Sequence, residues 1–159
     1  MNPAWTARVR VLDAWHGLTR WPAGGWLFSR CVCLLVPYFS SIGPRVMALD
    51  RQSCSVRLRN RRSVRNHLGG IHGIALCTAA EMATAVLLQA ALPAGRRWMP
   101  TGVSAEFLNA ANTDVTATAR LAPTQRLDKA VEVPVAVEVV DRAGRVVAKV
   151  DGRVYVAAA

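Results

Sequence analysis

Apolar and polar positions alternate over several stretches of this chain, and one long apolar run interrupts them. In residues 53–59, Cys54, Val56 and Leu58 point one way and Ser53, Ser55, Arg57 and Arg59 the other. Period two with one wet face predicts a half-buried strand. A shorter candidate, 45–50, precedes it. The pattern returns after position 95. Residues 98–108 put Met99, Thr101, Val103, Ala105 and Phe107 on one face, and 115–121 alternate Val115, Ala117, Ala119 and Leu121 with Thr116, Thr118 and Arg120. Residues 130–140 align Val131, Val133, Val135, Val137 and Val139, with Pro134 among them. A proline cannot donate to a ladder, so that position favours an edge or a bulge. Asp141-Arg142-Ala143-Gly144 reads as a hairpin loop into a last strand, 145–156.

The interrupting run spans 71–92 and is stopped by Pro93 and Gly95. Its length would cross a bilayer, but Glu81 sits at its middle, where a lone carboxylate is expensive in lipid. With alternating strands on both sides of it, the run predicts a buried central helix, apolar all round, with Glu81 buried inside it. A second helix is expected over 26–36, ended by Pro37. The apolar stretch 26–42 contains Arg30 and Pro37 and is too short to span a membrane. It starts too far into the chain, without a small-residue cleavage site, to resemble a secretory signal. Residues 22–25 and 40–44 are breaks, and 60–70 is a polar loop ending in glycine. Residues 1–20, with Trp5, Trp15, Arg8, Arg10 and Arg20, fit a short helix or a loose arm. The expected organisation is an N-terminal arm over 1–25 and a single domain over 26–159. Two strands, one long helix and four more strands require the helix to lie across the sheet's concave face. That is an α+β hotdog fold: a curled antiparallel sheet wrapped around one central helix, preceded by an N-terminal helix.

Composition sharpens this picture. The chain has 159 residues, 52% of them hydrophobic, which suits one domain with its own core. At 19% charged residues it is not a disordered solvating chain. The net charge of +10 is uneven: residues 1–66 hold eleven Arg against two Asp, and the remainder is nearly balanced. An anionic partner is therefore expected at the N-terminal part. The four cysteines, Cys31, Cys33, Cys54 and Cys77, form no C-x-x-C and have no His at zinc-finger spacing. They read as small buried hydrophobes in a reducing, cytoplasmic compartment, with no metal site.

The chemistry concentrates in residues 66–81. Asn66 precedes a His72-Gly73 pair at the expected helix start, and Glu81 follows along the helix. The first helical turn leaves backbone N–H groups without partners, and the dipole adds partial positive charge. A glycine there lets a ligand approach the backbone, where an N–H can polarise a carbonyl oxygen as charge develops. Asn66 could hydrogen-bond a water or a carbonyl. Glu81 could attack that carbonyl or activate a water against it. Gly73 and Glu81 are eight residues apart, roughly 12 Å along one helix axis. One carbonyl cannot touch both in a single chain, so joint action requires two antiparallel helices from a two-fold pair.

The segment resembles the signature of hotdog-fold acyl-CoA thioesterases, in the branch with the phenylacetate-pathway and 4-hydroxybenzoyl-CoA enzymes. That signature has Asn or Gln six residues before a His-Gly, and Asp or Glu nine residues after the His. Asn66, His72, Gly73 and Glu81 stand at those spacings, and Gly69 fits the loop glycine of the branch. The wider context, Pro37-Tyr38-Phe39 through residues 65–69 to Leu92-Pro93, also resembles an uncharacterised hotdog domain. The resemblance covers residues 35–156. It implies that Gly73 N–H polarises a thioester carbonyl, that Glu81 of the other subunit is nucleophile or general base, that Asn66 positions water or the carbonyl, and that His72 shapes the loop. Coenzyme A enters as part of the substrate, with no separate cofactor. The chain departs at two positions: Ile74 replaces the second glycine after His-Gly, and Ala85 stands where some relatives carry a hydroxyl.

Arg57, Arg59, Arg61, Arg62 and Arg65 precede the motif. They read either as a solvated face or as a clamp for the phosphates of coenzyme A, because guanidinium groups grip phosphate bidentately. No aromatic interleaves them to stack bases, which disfavours nucleic acid. The expected function is thioester hydrolysis by a homodimer or a dimer of dimers. The alternative is a non-catalytic module binding an acyl or other apolar ligand, motivated by Ile74 and Ala85. An acidic membrane surface is a further candidate partner for the Trp- and Arg-rich N-terminal region.

Overall fold

The structure is a computed structural model and describes residues 11–158. Trp5, Arg8 and Arg10 of the expected arm lie outside the described residues. Among the described residues three helices are present: α1 (Val11–Leu18), α2 (Gly24–Leu35) and α3 (Gly73–Ala91). The strands are β1 (Arg45–Leu49), β2 (Ser53–Leu58), β3 (Arg96–Phe107), β4 (Val115–Arg120), β5 (Val131–Asp141) and β6 (Val146–Ala158). Short 3₁₀ turns occupy Pro37–Ile42 and Arg62–Val64.

The strands form one antiparallel sheet in the order β1-β2-β4-β5-β6-β3. Register explains why α3 lies where it does. Val56 pairs with Ala117, Ala117 with Val139, and Val139 with Ala148, and all four are fully buried. The next row repeats this with Cys54, Ala119, Val137 and Val150. These rows make a continuous apolar surface across four strands, and α3 packs on it with Ala79, Ala80, Met82, Ala83 and Leu87 fully buried. Each large buried aliphatic side chain contributes about 1.5–3 kcal/mol. This is the hotdog arrangement. Helix α3 is long and apolar enough to cross a membrane by length and composition, and two thirds of it is buried inside this domain.

The interior place of β5 and the proline inside it are compatible. β4 pairs with β5 only over residues 136–141, so Pro134 lies beyond the end of β4 and faces a partner, Arg153, on one side only. An interior strand has a local edge there, and its missing N–H costs no ladder bond.

The helical layer is tied to both sheet and core. Trp15 is buried and meets Phe28 edge-on, with centroids 5.1 Å apart and an interplanar angle of 78°. The Ser29 hydroxyl donates to Gly25 O (2.6 Å) and accepts from Val46 N–H (2.8 Å), pinning α2 to β1. A Cβ at Gly24 would sit 1.8 Å from the Leu18 carbonyl oxygen, so only glycine permits the tight α1–α2 corner.

Two expectations are corrected: Cys31 lies exposed on α2, and Glu81 lies exposed on α3. Glu81 is not buried within α3; it is exposed, between fully buried Ala80 and Met82. The reason is helical phase. Ile74, Cys77 and Glu81 recur at i, i+3 and i+7 and form one stripe that neither the sheet nor the helical layer covers.

Candidate active site

The loop entering α3 closes on itself. Arg65 bridges Ile71, Asn66 N–H donates to Gly70 O (2.8 Å), and Gly69 N–H donates back to Asn66 O (3.1 Å). Gly69 takes φ +85°, which favours glycine, and the Asn66 side-chain oxygen accepts from Leu68 N–H (2.9 Å) as an Asx turn. His72 N–H donates to Val64 O (2.8 Å) and Ile71 N–H to Ala111 O (2.9 Å), anchoring the start of the helix.

His72 is the N-cap of α3. Its Nδ1 accepts from Ile74 N–H at 3.1 Å, which places the ring proton on Nε2. The cap satisfies the second free amide of the helix. The first, Gly73 N–H, donates to nothing among the described residues. The Phe107 ring lies directly against Gly73: a Cβ there would be 2.8 Å from Cζ.

A cavity of about 230 Å³ opens beside this helix end, lined by Tyr38, Ser41, Arg65, His72, Ile74 and Thr78 among others. Asn66, Gly73 and Glu81 are not in its lining. Glu81 projects from the same uncovered helix face as Ile74 but two turns further on, so one chain does not bring it to the Gly73 amide.

The five arginines do not form one cluster. Arg57 lies on the outer sheet face and pairs with Asp114 at 2.7 Å; Asp114 also meets Arg142 at 2.9 Å and accepts from Asn60 N–H at 3.0 Å. The hydrogen bond from Arg57, with those from Asn60 and Arg142, holds the Asp114 carboxyl down to about 2 against the opposing effect of burial. A second cavity of about 290 Å³ lies over this network, with Met47 and Thr116 beside it. Arg65 donates to Asn60 Oδ1 (2.7 Å) while also lining the cavity at α3. Arg61 packs against Gly43. Arg59 and Arg62 are exposed and make no ion pair among the described residues.

Burial pushes the Cys54 thiol up to about 12, and raises Cys33 and Cys77, so none of the three is a ready thiolate. Among the described residues no three His, Cys, Asp or Glu gather as a metal site. Sequence reasoning missed the Phe107 ring, the Tyr38–Arg65 cavity and the Asp114 network. Phe107 stood out only as one residue of a strand face. Asp114 lies in a turn whose partners come from β2 and from the β5–β6 hairpin, which no local pattern reveals.

Residues 24–156 match the family model described as Domain of unknown function (DUF4442). The chain belongs to this family. A crystal structure described only by a genomics target label has TM-score 0.82 and 32% identity, covering 94% of this chain and 99% of that one. The Pseudomonas aeruginosa protein PA5026, described as of unknown function and a "probable thioesterase", has TM-score 0.74 and 20% identity over 80% of this chain and 91% of that one. A Staphylococcus aureus thioesterase has TM-score 0.68 and 15% identity over 76% of this chain and 98% of that one. Its crystal structures include a Gln-to-Ala and a Glu-to-Ala variant, the Glu fifteen positions after the Gln. No curated protein matches the chain. The fold of this DUF4442 domain is thus one that thioesterases share.

Proposed function

We propose that this DUF4442 protein hydrolyses an acyl-CoA-type thioester as a homodimer. The observation that carries the reading is the Gly73 amide. It is the one N–H of the first helical turn that the His72 cap leaves open, and its chain neighbours His72 and Ile74 line a cavity. Glu81 is a carboxylate on the uncovered stripe of the same helix, where a second copy would bury it against an antiparallel α3. The Asn66–Glu81 spacing equals that of the two substituted positions in the Staphylococcus aureus thioesterase, which supports assigning the pair a joint task. β3 favours such pairing. It is an edge strand of twelve residues with Met99, Val103 and Phe107 exposed. A long apolar edge invites a partner strand.

In the reaction Gly73 N–H polarises the thioester carbonyl. Glu81 of the facing protomer attacks the carbonyl carbon, or takes a proton from a water that does. The C–S bond breaks and the thiolate leaves, to be protonated as the thiol. In the direct-attack route water then hydrolyses the acyl-enzyme anhydride. Asn66 positions the water, and Arg59, Arg61, Arg62 and Arg65 meet the phosphates. Ile74, exposed beside Gly73, favours a second reading in which an acyl group is bound without turnover.

Short, long and aromatic acyl-CoAs incubated with the protein and a free-thiol reagent test this. Thiol release that falls roughly hundredfold or more in Glu81→Ala is expected. Release untouched by that change overturns the assignment of Glu81. Retention of an acyl ligand without release leaves the binding module.

A further inference from the structure

We propose that the exposed face of α2 docks on an anionic lipid surface and presents the cavity beneath Tyr38 to acyl thioesters held at that surface. At 100° per residue α2 divides cleanly. Phe28, Ser29, Val32 and Cys33 face the core and are buried, whereas Trp26, Leu27, Arg30, Cys31, Leu34 and Leu35 occupy the opposite half and are exposed. That outer half carries a single charge. Leu34 is 76% exposed, and Trp21 and Tyr38, just beyond the two helix ends, are 73% and 62% exposed. A lone exposed Leu is ordinary, but a contiguous apolar face of this extent marks an interaction surface.

Three observations choose lipid as the occupant. The first is charge: Arg20 and Arg30 flank and punctuate the face, within a 66-residue segment of eleven Arg and two Asp. Anionic headgroups complement that balance. The second is chemical order along the face. Trp21 and Trp26 stand at one end and Tyr38 at the other, with Leu27, Leu34 and Leu35 between. Aromatic rings with a polar edge favour the headgroup level, and aliphatic side chains favour the acyl boundary. The helix is about 18 Å long, fit to lie in the interface and too short to cross it. The third is continuity. Tyr38 closes this face and also lines the cavity together with His72 and Ile74. The Trp15–Phe28 contact and the Ser29–Val46 bond hold α2 in place, so the face is presented without prior ordering.

The docking surface stands on its own evidence; only its substrate rests on the thioesterase reading. The test is cosedimentation of the full chain with vesicles of phosphatidylcholine, and of an equal mixture of phosphatidylcholine and phosphatidylglycerol. Pelleting with the mixed vesicles, weakened by salt, with a blue shift of tryptophan emission, is expected. Leu34→Glu and Trp26→Glu, both at exposed positions, should reduce the bound fraction about tenfold or more, with unchanged melting temperature and unchanged hydrolysis of water-soluble short acyl-CoAs. Protein that stays in the supernatant overturns the proposal, as does equal pelleting of Leu34→Glu. A smaller assembly of Leu34→Glu in vesicle-free light scattering would assign the face to a second copy instead. Vesicle binding that appears only on removal of residues 1–10 would assign it to the chain's own first ten residues. Vesicle binding without hydrolysis of any acyl-CoA retains the docking surface and removes the thioesterase reading. Hydrolysis without vesicle binding does the reverse.

Discussion

The Phe107 ring, at the end of β3, lies against the backbone of Gly73, at the start of α3, so closely that a single methyl group would collide with its tip. The ring is 55% exposed in the protomer, and the atoms in the way are at its tip. Gly73→Ala is therefore expected to fold. The helix gains a better former at its first position, and the displaced ring loses little contact. The methyl and the displaced ring would crowd the approach to the Gly73 amide, where a developing oxyanion must come within about 3 Å of the nitrogen. The expected result is a melting temperature within a few degrees of the parent and kcat/KM lowered about tenfold or more. Phe107→Ala in the same chain should restore part of it. Full activity in Gly73→Ala would remove the amide from the reaction.

Glu81 and Gly73 stand about 12 Å apart on one helix, so a dimeric site makes a sharp prediction about mixtures. Glu81→Ala and Asn66→Ala each inactivate both sites of their own homodimer. A heterodimer of the two carries both defects in one site and neither in the other. Random reassortment should restore about a quarter of the parent activity, half the dimers each with one working site. Restored turnover in mixed, refolded protein measures this. No recovery, in heterodimers verified by native mass spectrometry, would place both side chains in a site within one chain.

The architecture was readable because each strand carries its own period-two code. Cys54, Val56 and Leu58, or Val133 through Val139, announce their buried face without reference to anything distant. Pro134 was half legible: its missing donor required a free side, but that this side comes from β4 ending early is a matter of register between strands. Glu81 misled. A carboxylate inside an apolar run reads as buried, and composition cannot show that Ile74, Cys77 and Glu81 share a stripe the rest of the chain fails to cover. The resemblance has His72 shape the loop, while its place at the helix start allows a cap, and the geometry over three residues makes it one. Arg57 looked like part of one basic run, but alternation sends it to the outer face, where Asp114 claims it. Sequence proximity overstated the cluster because Arg57 is fixed within β2, whereas Arg59, Arg61, Arg62 and Arg65 follow the end of that strand.

The Asp114 network gives a stability prediction whose pH dependence has a definite sign. Arg57, then the Asn60 amide and Arg142, hold the folded carboxyl down to about 2, below the roughly 3.9 of an unfolded aspartate. As pH falls the unfolded chain takes up this proton first, so acid favours unfolding. The stabilisation is fully present above about pH 4 and is lost as pH falls through the folded value near 2. Both arginines are partly solvent-exposed, which screens the pair, so Asp114→Asn should cost only about 1 kcal/mol near neutrality. Melting temperatures of parent and Asp114→Asn protein, followed from pH 7 down to 2, should differ by a few degrees at the start and converge at the end. Salt should narrow the gap at neutral pH. A gap that stays constant across the whole range would mean that Asp114 stabilises through the shape of its hydrogen bonds and not through its charge.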